Sequence, residues 1–307
     1  MGPANRRRGR RRSRNRPPSC QPPPPRTIPP VDPASLLSAA LIGIVEGLTE
    51  FLPISSTAHI RLTQLATGFQ DRGETFAVVI QLGAILAVVA YFWRRLAALA
   101  VGVLRREPAS LRFAWALLLA MLPPGIAGWA LNNWLEQHVF GAYELAIIAV
   151  TMAVGGLAIL AIERWRPQPR HSDSATLPPL TCLWIGFMQV LSMIPGVSRS
   201  GASIMGAMCL GVERKAATEF SFFLAIPLML GASFLKLRKH QGEIDTAFAG
   251  VIAVGFIVSF IVALGVVHWL LKYVAANTFR PFAWYRLAAG VIIALLLALG
   301  LIPMRVD

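Results

Sequence analysis

The sequence predicts an all-α polytopic membrane protein built from two inverted repeats, each with a re-entrant helix pair and three transmembrane helices. Of its 307 residues, 55% are hydrophobic and 14% are charged, whereas an average soluble protein is about 25% charged. Apolar segments follow one another with short polar joints, and most reach the roughly 20 residues that a helix needs to cross the hydrocarbon core. This composition excludes both a soluble globular protein and a disordered one.

Residues 1–33 are predicted to be a disordered arm, because they are rich in arginine and proline and carry little that could form a core. The net charge of +14 suggests a nucleic-acid binder at first, but nine arginines lie within residues 6–26. Without them, 20 basic residues face 15 acidic ones, an ordinary balance for a membrane protein with basic cytoplasmic loops. No nucleic-acid partner is therefore expected.

Residues 34–307 are predicted to form one integral membrane domain, with repeat one at about 34–165 and repeat two at about 178–303. The candidate helices are 34–52, 75–93, 113–131, 143–163, 180–194, 218–235, 247–271 and 282–302. At 53–70 and 195–215, a proline is followed by hydroxyls, glycines and a charge within apolar sequence. Irregular backbone at membrane depth is tolerated only where protein or a water-filled cavity surrounds it. Both regions are therefore predicted turning points of re-entrant pairs.

The two broken regions resemble each other, which indicates a repeat. Residues 43–48 align with residues 186–191, and Ser56 then aligns with Ser198. Three crossings per half is an odd number, so the second half must be inverted, an arrangement that places a binding site between the repeats.

Loop charges predict the orientation in the membrane. Loops 94–112, 164–180 and 272–282 hold ten basic residues, whereas loops 132–143 and 236–247 and the C-terminal end hold four. The positive-inside rule places the first set in the cytoplasm. This orientation places the N-terminus outside, whereas the arginines of the arm would favour the cytoplasmic side. The predicted orientation is based on the loops rather than on the arm.

The first broken region carries two acids one helical turn apart. Glu46 and Glu50 are spaced i and i+4, so they lie on one face of a helix. One ionised carboxylate at the bilayer centre costs about 2.5–3.5 kcal/mol, and two stacked carboxylates repel each other as well. The pair is therefore expected to share a proton, bind a buried cation or line a wet cavity. The alternative is a helix end that frays into the headgroups, which the apolar continuation Phe51 and Leu52 disfavours.

Hydroxyls and a histidine follow Pro53, which ends the first helix. Ser55, Ser56 and Thr57 begin the next helix, and one of them is expected to be its N-cap. His59 lies three residues after Ser56 and shares its helix face. A lone histidine is usually structural, but beside two carboxylates and a hydroxyl cluster it is a candidate general acid or base.

The second broken region is a glycine-bounded turn with hydroxyls and one arginine. Its candidate phosphate ligands are Gly196, Ser198, Arg199, Ser200 and Ser203. Such a turn at a helix start offers backbone N–H groups and hydroxyls to an anion, and the planar guanidinium suits phosphate. A structural ion pair of Arg199 with a carboxylate is the alternative. Acids on one re-entrant pair and a phosphate cradle on the other predict phosphoryl chemistry on a substrate embedded in lipid.

Four stretches carry a family resemblance: EGLTEFLPISSTAH at 46–59, PGVSRSGAS at 195–203, FAVVIQLGAILAVV at 76–89 and EFSFFLAIP at 219–227. They closely resemble segments of the bacterial undecaprenyl-diphosphate phosphatases, the bacitracin-resistance family, and the first two resemble its signature motifs. The resemblance extends over about residues 35–303. Two departures are small: Ala58 stands where glycine is usual, and Ser203 keeps the hydroxyl of the usual threonine.

The resemblance implies hydrolysis of undecaprenyl diphosphate to undecaprenyl phosphate and orthophosphate, which recycles the lipid carrier of peptidoglycan synthesis and confers bacitracin resistance. It also implies a multi-pass protein of the bacterial inner (plasma) membrane, a divalent cation (Mg or Ca) and a homodimer. By match to the motifs, the catalytic residues would be Glu46, Glu50, Ser56, His59 and Arg199. Glu46 and Glu50 would hold the cation, or one of them would act as a base toward water or Ser56. Ser55, Thr57 and the second motif would bind the diphosphate.

The main alternative is a secondary transporter of a lipid or organic anion, because inverted repeats with broken helices fit a transporter equally well. A coupled ion pathway usually needs acids in both halves, and Gln189 stands where the first half has Glu46. A structural scaffold would leave the acid pair and Arg199 unexplained, and the spaced motifs of phosphatidic-acid-type phosphatases are missing. The sequence therefore favours a phosphatase.

Overall fold

The structure, a computed structural model, describes Gly2 and residues 33–71, 75–139, 143–239 and 246–304. The predicted arm therefore lies almost wholly outside the described residues. Within them the chain forms eleven α-helices and no strand. The helices are α1 Pro33–Thr49, α2 Ser56–Thr67, α3 Thr75–Tyr91, α4 Trp93–Leu104, α5 Pro108–His138, α6 Glu144–Trp165, α7 Pro179–Val190, α8 Arg199–Cys209, α9 Arg214–Lys239, α10 Thr246–Ala276 and α11 Arg280–Ala298.

Five of these helices, namely α5, α6, α9, α10 and α11, are long and apolar enough to cross a membrane. Helices α3 and α4 together make a sixth candidate span that is bent by 75°. Large apolar side chains such as Trp115, Trp129 and Ile261 face outward, as expected for surfaces that contact lipid. The predicted all-α polytopic class is therefore confirmed.

Helix α4 corrects the prediction of a plain basic loop at 94–112. The arginines that suggested a loop are accommodated on a helix because Arg95 has partners on neighbouring elements. Its guanidinium donates to Glu219 at 2.7 Å and to Ser174 at 2.9 Å, and it lies 4.8 Å from the centre of the Phe223 ring. The bend after α3 lets this short helix turn away from the direction of the span.

Small residues allow the membrane helices to approach closely, as is common in helix packing within bilayers. At the contact of α1 with α10, a Cβ atom on Gly43 would lie 2.5 Å from the carbonyl oxygen of Gly255. At the contact of α6 with α11, a Cβ atom on Gly290 would lie 2.8 Å from the carbonyl oxygen of Ala149. Neither helix pair could keep its spacing with a larger residue.

The helix pairing has the pattern that two related halves would produce. Helix α1 packs on α10 and α7 packs on α5, while α3 contacts α9 and α6 contacts α11. Suppose that α1, α3, α5 and α6 correspond in order to α7, α9, α10 and α11. The α1–α10 pair then corresponds to the α7–α5 pair, and the α3–α9 and α6–α11 pairs each correspond to themselves. The repeat and its inversion across the membrane both stay predictions.

Candidate active site

Each broken region contains a serine with positive φ that caps the short helix after it. Ser55 caps α2 with φ 70° and Ser198 caps α8 with φ 74°. Their hydroxyl oxygens accept hydrogen bonds from the N–H groups of Ala58 at 3.4 Å and Gly201 at 3.1 Å. A non-glycine residue with positive φ costs about 1–2 kcal/mol, so the surrounding structure must hold both turns in place.

These caps correct the sequence alignment by one residue. Ser55 is equivalent to Ser198, because both are N-caps with nearly the same φ. Ser56 then corresponds to Arg199, and each is the first residue of its short helix. The offset arises because the second turn has one more residue between its proline and its cap.

The structure brings together an acid, a hydroxyl and an arginine from the two turns. The Ser56 hydroxyl donates to Glu50 Oε2 at 2.5 Å. The other carboxylate oxygen, Glu50 Oε1, accepts from Arg199 Nη2 at 3.3 Å. Two residues of the first motif and one of the second thus form one connected network where the two broken regions meet.

Glu46 lies one helical turn before Glu50 and is fully buried. The N–H of Glu50 donates to the Glu46 carbonyl at 2.9 Å, which keeps both acids on one helical turn. Both carboxylate oxygens of Glu46 lack a hydrogen-bond partner among the described residues. A buried carboxylate without donors is suited to a hard cation such as Mg²⁺ or Ca²⁺, or to a proton.

The guanidinium of Arg199 has N–H groups that remain available to bind an anion. Its Nη1 donates to the Ser221 carbonyl at 3.4 Å and its Nη2 to Glu50. Its buried Nε has no partner in the part of the chain that the structure describes. The long contacts and the spare N–H fit a guanidinium that can also bind phosphate oxygens.

The serines of the second turn face protein rather than open space. Ser200 is fully buried, and its hydroxyl donates to the Leu52 carbonyl at 2.9 Å. Ser203 is also buried, and its hydroxyl donates to the Arg199 carbonyl at 2.9 Å. These bonds give both serines a structural role, and their predicted contact with phosphate stays a prediction. Thr57, by contrast, is exposed at the start of α2.

His59 is oriented by two polar contacts. Its Nδ1 donates to the Ser55 carbonyl at 2.7 Å, which leaves Nε2 as the other functional nitrogen. That nitrogen lies 2.5 Å from the hydroxyl of Tyr285, and the two rings are nearly parallel at an interplanar angle of 12°. Sequence reasoning missed Tyr285, which lies on α11 far from both motifs.

Sequence reasoning also missed Arg286, the largest of the fully buried side chains in the described chain. Its guanidinium donates to five main-chain carbonyls at 2.9–3.3 Å, those of Pro53, Thr151, Met152, Gly196 and Val197. Gly196 has φ 87°, and its carbonyl accepts from this arginine, while its predicted contact with phosphate stays a prediction. An arginine inside the predicted helix 282–302 was the available signal.

No group of three or more His, Cys, Asp or Glu residues that could hold a metal occurs in the described ranges. The predicted divalent cation with Glu46 and Glu50 as its carboxylate ligands stays a prediction, and its remaining ligands would be hydroxyl, water or phosphate oxygens.

Comparison with known proteins decides the family. The family described as bacitracin resistance protein BacA matches residues 39–292, a range that contains both broken turns. The chain belongs to the BacA family.

Three curated relatives of this BacA-family chain are named undecaprenyl-diphosphatase. The protein of Caulobacter sp. (strain K31) is 47% identical over 257 residues, which cover 83% of this chain and 95% of the relative. That of Rhizorhabdus wittichii is 49% identical over 261 residues, with coverages of 83% and 95%. That of Novosphingobium aromaticivorans is 47% identical over 276 residues, with coverages of 88% and 99%.

Proposed function

We propose that the chain is a membrane-embedded phosphatase that hydrolyses undecaprenyl diphosphate to undecaprenyl phosphate and orthophosphate. The network of Ser56, Glu50 and Arg199 carries this proposal, because it joins a hydroxyl, a base and a phosphate-binding cation at one point. The names of the relatives at 47–49% identity supply the substrate. The reaction would recycle the lipid carrier of cell-wall synthesis and confer resistance to bacitracin, which sequesters the diphosphate.

Arg199 would bind the diphosphate and offset the charge that builds up in the transition state. Phosphoryl transfer depends mainly on positioning and electrostatic stabilisation, so an arginine with a spare N–H suits this task. The N-termini of α2 and α8 add favourable dipoles for an anion, since Ser56 and Arg199 are their first residues. Ser55, Ser198 and the exposed Thr57 would be further ligands of the diphosphate.

Glu50 would act as the base, and the nucleophile is either Ser56 or water. In the serine route, the Ser56 oxygen bonds to the terminal phosphorus while Glu50 takes its proton, and the bond to the bridging oxygen breaks. Water then hydrolyses the phosphoserine. In the direct route, Glu50 takes a proton from the attacking water and Ser56 donates to a phosphate oxygen. Trapping a labelled phospho-enzyme distinguishes the two routes.

His59 would donate or accept the second proton. Its Nε2, which lies next to the Tyr285 hydroxyl, can protonate the leaving phosphate oxygen or assist the hydrolysis of a phosphoserine. The fixed donation of Nδ1 to the Ser55 carbonyl holds the ring in one tautomer when it is neutral.

As the alternative to a base at Glu50, Glu46 and Glu50 would together hold a divalent cation, Mg or Ca. The buried, unpartnered carboxylate of Glu46 supports this assignment. When bound, the cation would neutralise charge on the diphosphate and polarise its phosphorus–oxygen bonds.

The transporter alternative is not favoured. The second half has the buried Gln189 where the first half has Glu46, so it carries no titrating acid at that position. We place the enzyme in the bacterial inner (plasma) membrane, and the homodimer implied by the family resemblance can be tested by light scattering in detergent.

The decisive experiment measures orthophosphate released from undecaprenyl diphosphate by the purified protein in detergent. We expect turnover with this substrate and much less with glycerol-based lipid phosphates. Absence of release in the presence of Mg²⁺ or Ca²⁺, from a monodisperse sample, would refute the proposed function, and ion-coupled uptake into proteoliposomes would then support the transporter.

A further inference from the structure

Arg286 is the one basic side chain of the described helices that is almost fully buried, at 1% exposure, and it has no carboxylate partner among the described residues. The mechanism above assigns it no chemical step. A buried charge is tolerated only where protein dipoles or a counter-ion replace water. Here five carbonyl oxygens provide that solvation, so the guanidinium is bound by backbone alone.

The five carbonyls come from three separate parts of the fold. One belongs to Pro53 of the first turn, two belong to Gly196 and Val197 of the second turn, and the remaining two belong to α6. Pro53 precedes Ser56 by three residues, and Val197 precedes Arg199 by two. A single planar group therefore connects the backbones that carry the hydroxyl and the phosphate-binding arginine.

We infer that Arg286 is the positioning residue of the site: it holds the two broken turns at the spacing that lets Ser56 and Glu50 face Arg199. The guanidinium is suited to this because its five N–H groups lie in one rigid plane, whereas lysine has three donors on one mobile atom. The two turns are backbone-strained at Ser55 and Ser198, so they need an external group to keep them in register.

Helix α6 is shaped to receive this guanidinium. A Cβ atom on Gly155 would overlap Arg286 Nη2 and crowd the rest of the guanidinium. Four residues earlier, the Thr151 hydroxyl donates to the Pro195 carbonyl at 2.7 Å, which ties the second turn to the same helix. Gly155 thus offers a way to displace the guanidinium without changing any residue of the site.

The test compares two glycine substitutions in membrane helices. Gly155→Ala places a methyl group against the guanidinium, whereas Gly265→Ala on α10 meets open space. Misplacement of reacting groups by about 1 Å can lower a rate about 10²-fold. We therefore expect Gly155→Ala to lower kcat for undecaprenyl diphosphate at least about tenfold, with KM within about twofold of the parent. Gly265→Ala should behave like the parent, and equal kcat values for the two variants would overturn the inference.

Arg286→Lys adds a test of mechanism. Both substitutions act through the same guanidinium, so the double variant Gly155→Ala/Arg286→Lys should be no slower than Arg286→Lys alone. Losses that multiply in the double variant would show that the two residues act independently, against the inference. The kcat values are calculated per molecule of monodisperse protein. A variant that merely folds poorly therefore gives less protein but not a lower kcat.

The kinetic measurement rests on the proposed phosphatase activity, so a second measurement is needed that does not depend on catalysis. In a chain with its cysteines replaced, spin labels at Thr57→Cys and Ile194→Cys report the distance between the first and second turns by pulsed electron paramagnetic resonance. We expect Gly155→Ala to broaden or displace the distribution and Gly265→Ala to leave it unchanged. If the parent protein releases no phosphate, the proposed function fails while this distance still decides the inference; identical distributions would overturn it.

Discussion

Glu50 makes two contacts at once, accepting from Ser56 with one carboxylate oxygen and from Arg199 with the other. Glu50→Gln keeps the shape and removes both the charge and the base. We expect turnover to fall by about 10²–10⁴, the usual contribution of a positioned general base. Insertion should be normal or easier, because a neutral amide is less costly in the membrane.

Phosphate release and monodispersity in detergent measure these two effects, with the exposed Glu107→Gln as a control. Activity that survives both Glu46→Gln and Glu50→Gln would show that the acids are only structural.

Arg199 can serve either as the ion-pair partner of Glu50 or as the ligand of the diphosphate. Arg199→Lys separates the two because lysine keeps the charge but loses the two-pronged fork. We expect turnover to fall by about 10²–10³, as for loss of a positioned electrostatic donor. The matched control is Arg214→Lys, which alters the ion pair of the half-buried Arg214 with the buried Glu163, away from the turns, and should retain turnover. Near-normal hydrolysis by the Arg199 variant would remove the phosphate-binding role.

Tyr285 contacts His59 through its hydroxyl and its ring. Tyr285→Phe keeps the ring packing and removes the hydrogen bond, so we expect turnover to fall about two- to tenfold, the equivalent of about 0.5–1.5 kcal/mol. Tyr143→Phe, at an exposed tyrosine elsewhere, is the control. Steady-state kinetics across pH would reveal the loss, and an unchanged rate and profile would mean that Tyr285 only covers the histidine.

The residues that could be predicted from the sequence are those beside a visible break in an apolar segment. Glu50, Ser56 and Arg199 flank helix-breaking prolines and hydroxyls, so their chemistry stands out against the surrounding apolar sequence. Arg286 and Tyr285 lie within an ordinary apolar run. The hydrogen bonds of Arg286 to backbone carbonyls depend on which helices pack together, and a local sequence pattern does not show this. An intramembrane arginine was the one hint.

At the scale of elements, apolar length predicted the long helices well, and break signals predicted the short ones. Helix α4 was missed because the sequence shows its arginines but does not show that Arg95 pairs with Glu219 in the fold. Helix α5 runs from Pro108 to His138 through two prolines, longer than its predicted span, because proline is tolerated where neighbouring helices and local adjustment compensate.

The α6–α11 contact gives a prediction for this scale. A Cβ atom on Gly290 would lie 2.8 Å from backbone atoms of Ala149 and Ala153, which cannot move without separating the helices. Gly290→Ala should therefore lower stability by about 1–3 kcal/mol through overpacking. Gly250→Ala meets open space and is the control. Thermal unfolding in detergent measures the difference, and equal midpoints would contradict the close packing.

At the scale of the whole molecule, the N-terminal arm supplies nine of the 29 basic residues. Deletion of residues 1–30 should leave folding and turnover largely intact, because the arm has little apolar surface to pack and the family match begins at residue 39. Yield, monodispersity and phosphate release test this. A truncated protein that inserts normally but lacks activity would require the arm to contact the substrate or a second subunit.

The pairing of α1 with α10 has a consequence for biogenesis. The two helices are separated by about 200 residues, which a ribosome needs about 10–40 s to translate at about 5–20 residues per second. During that interval α1, with Glu46 in its last turn and Glu50 just after its end, must wait for the helix on which it packs. Insertion and assembly are therefore separate events: the groups of the site are translated at different times, and they become a site only when α11 places Arg286 between the two turns.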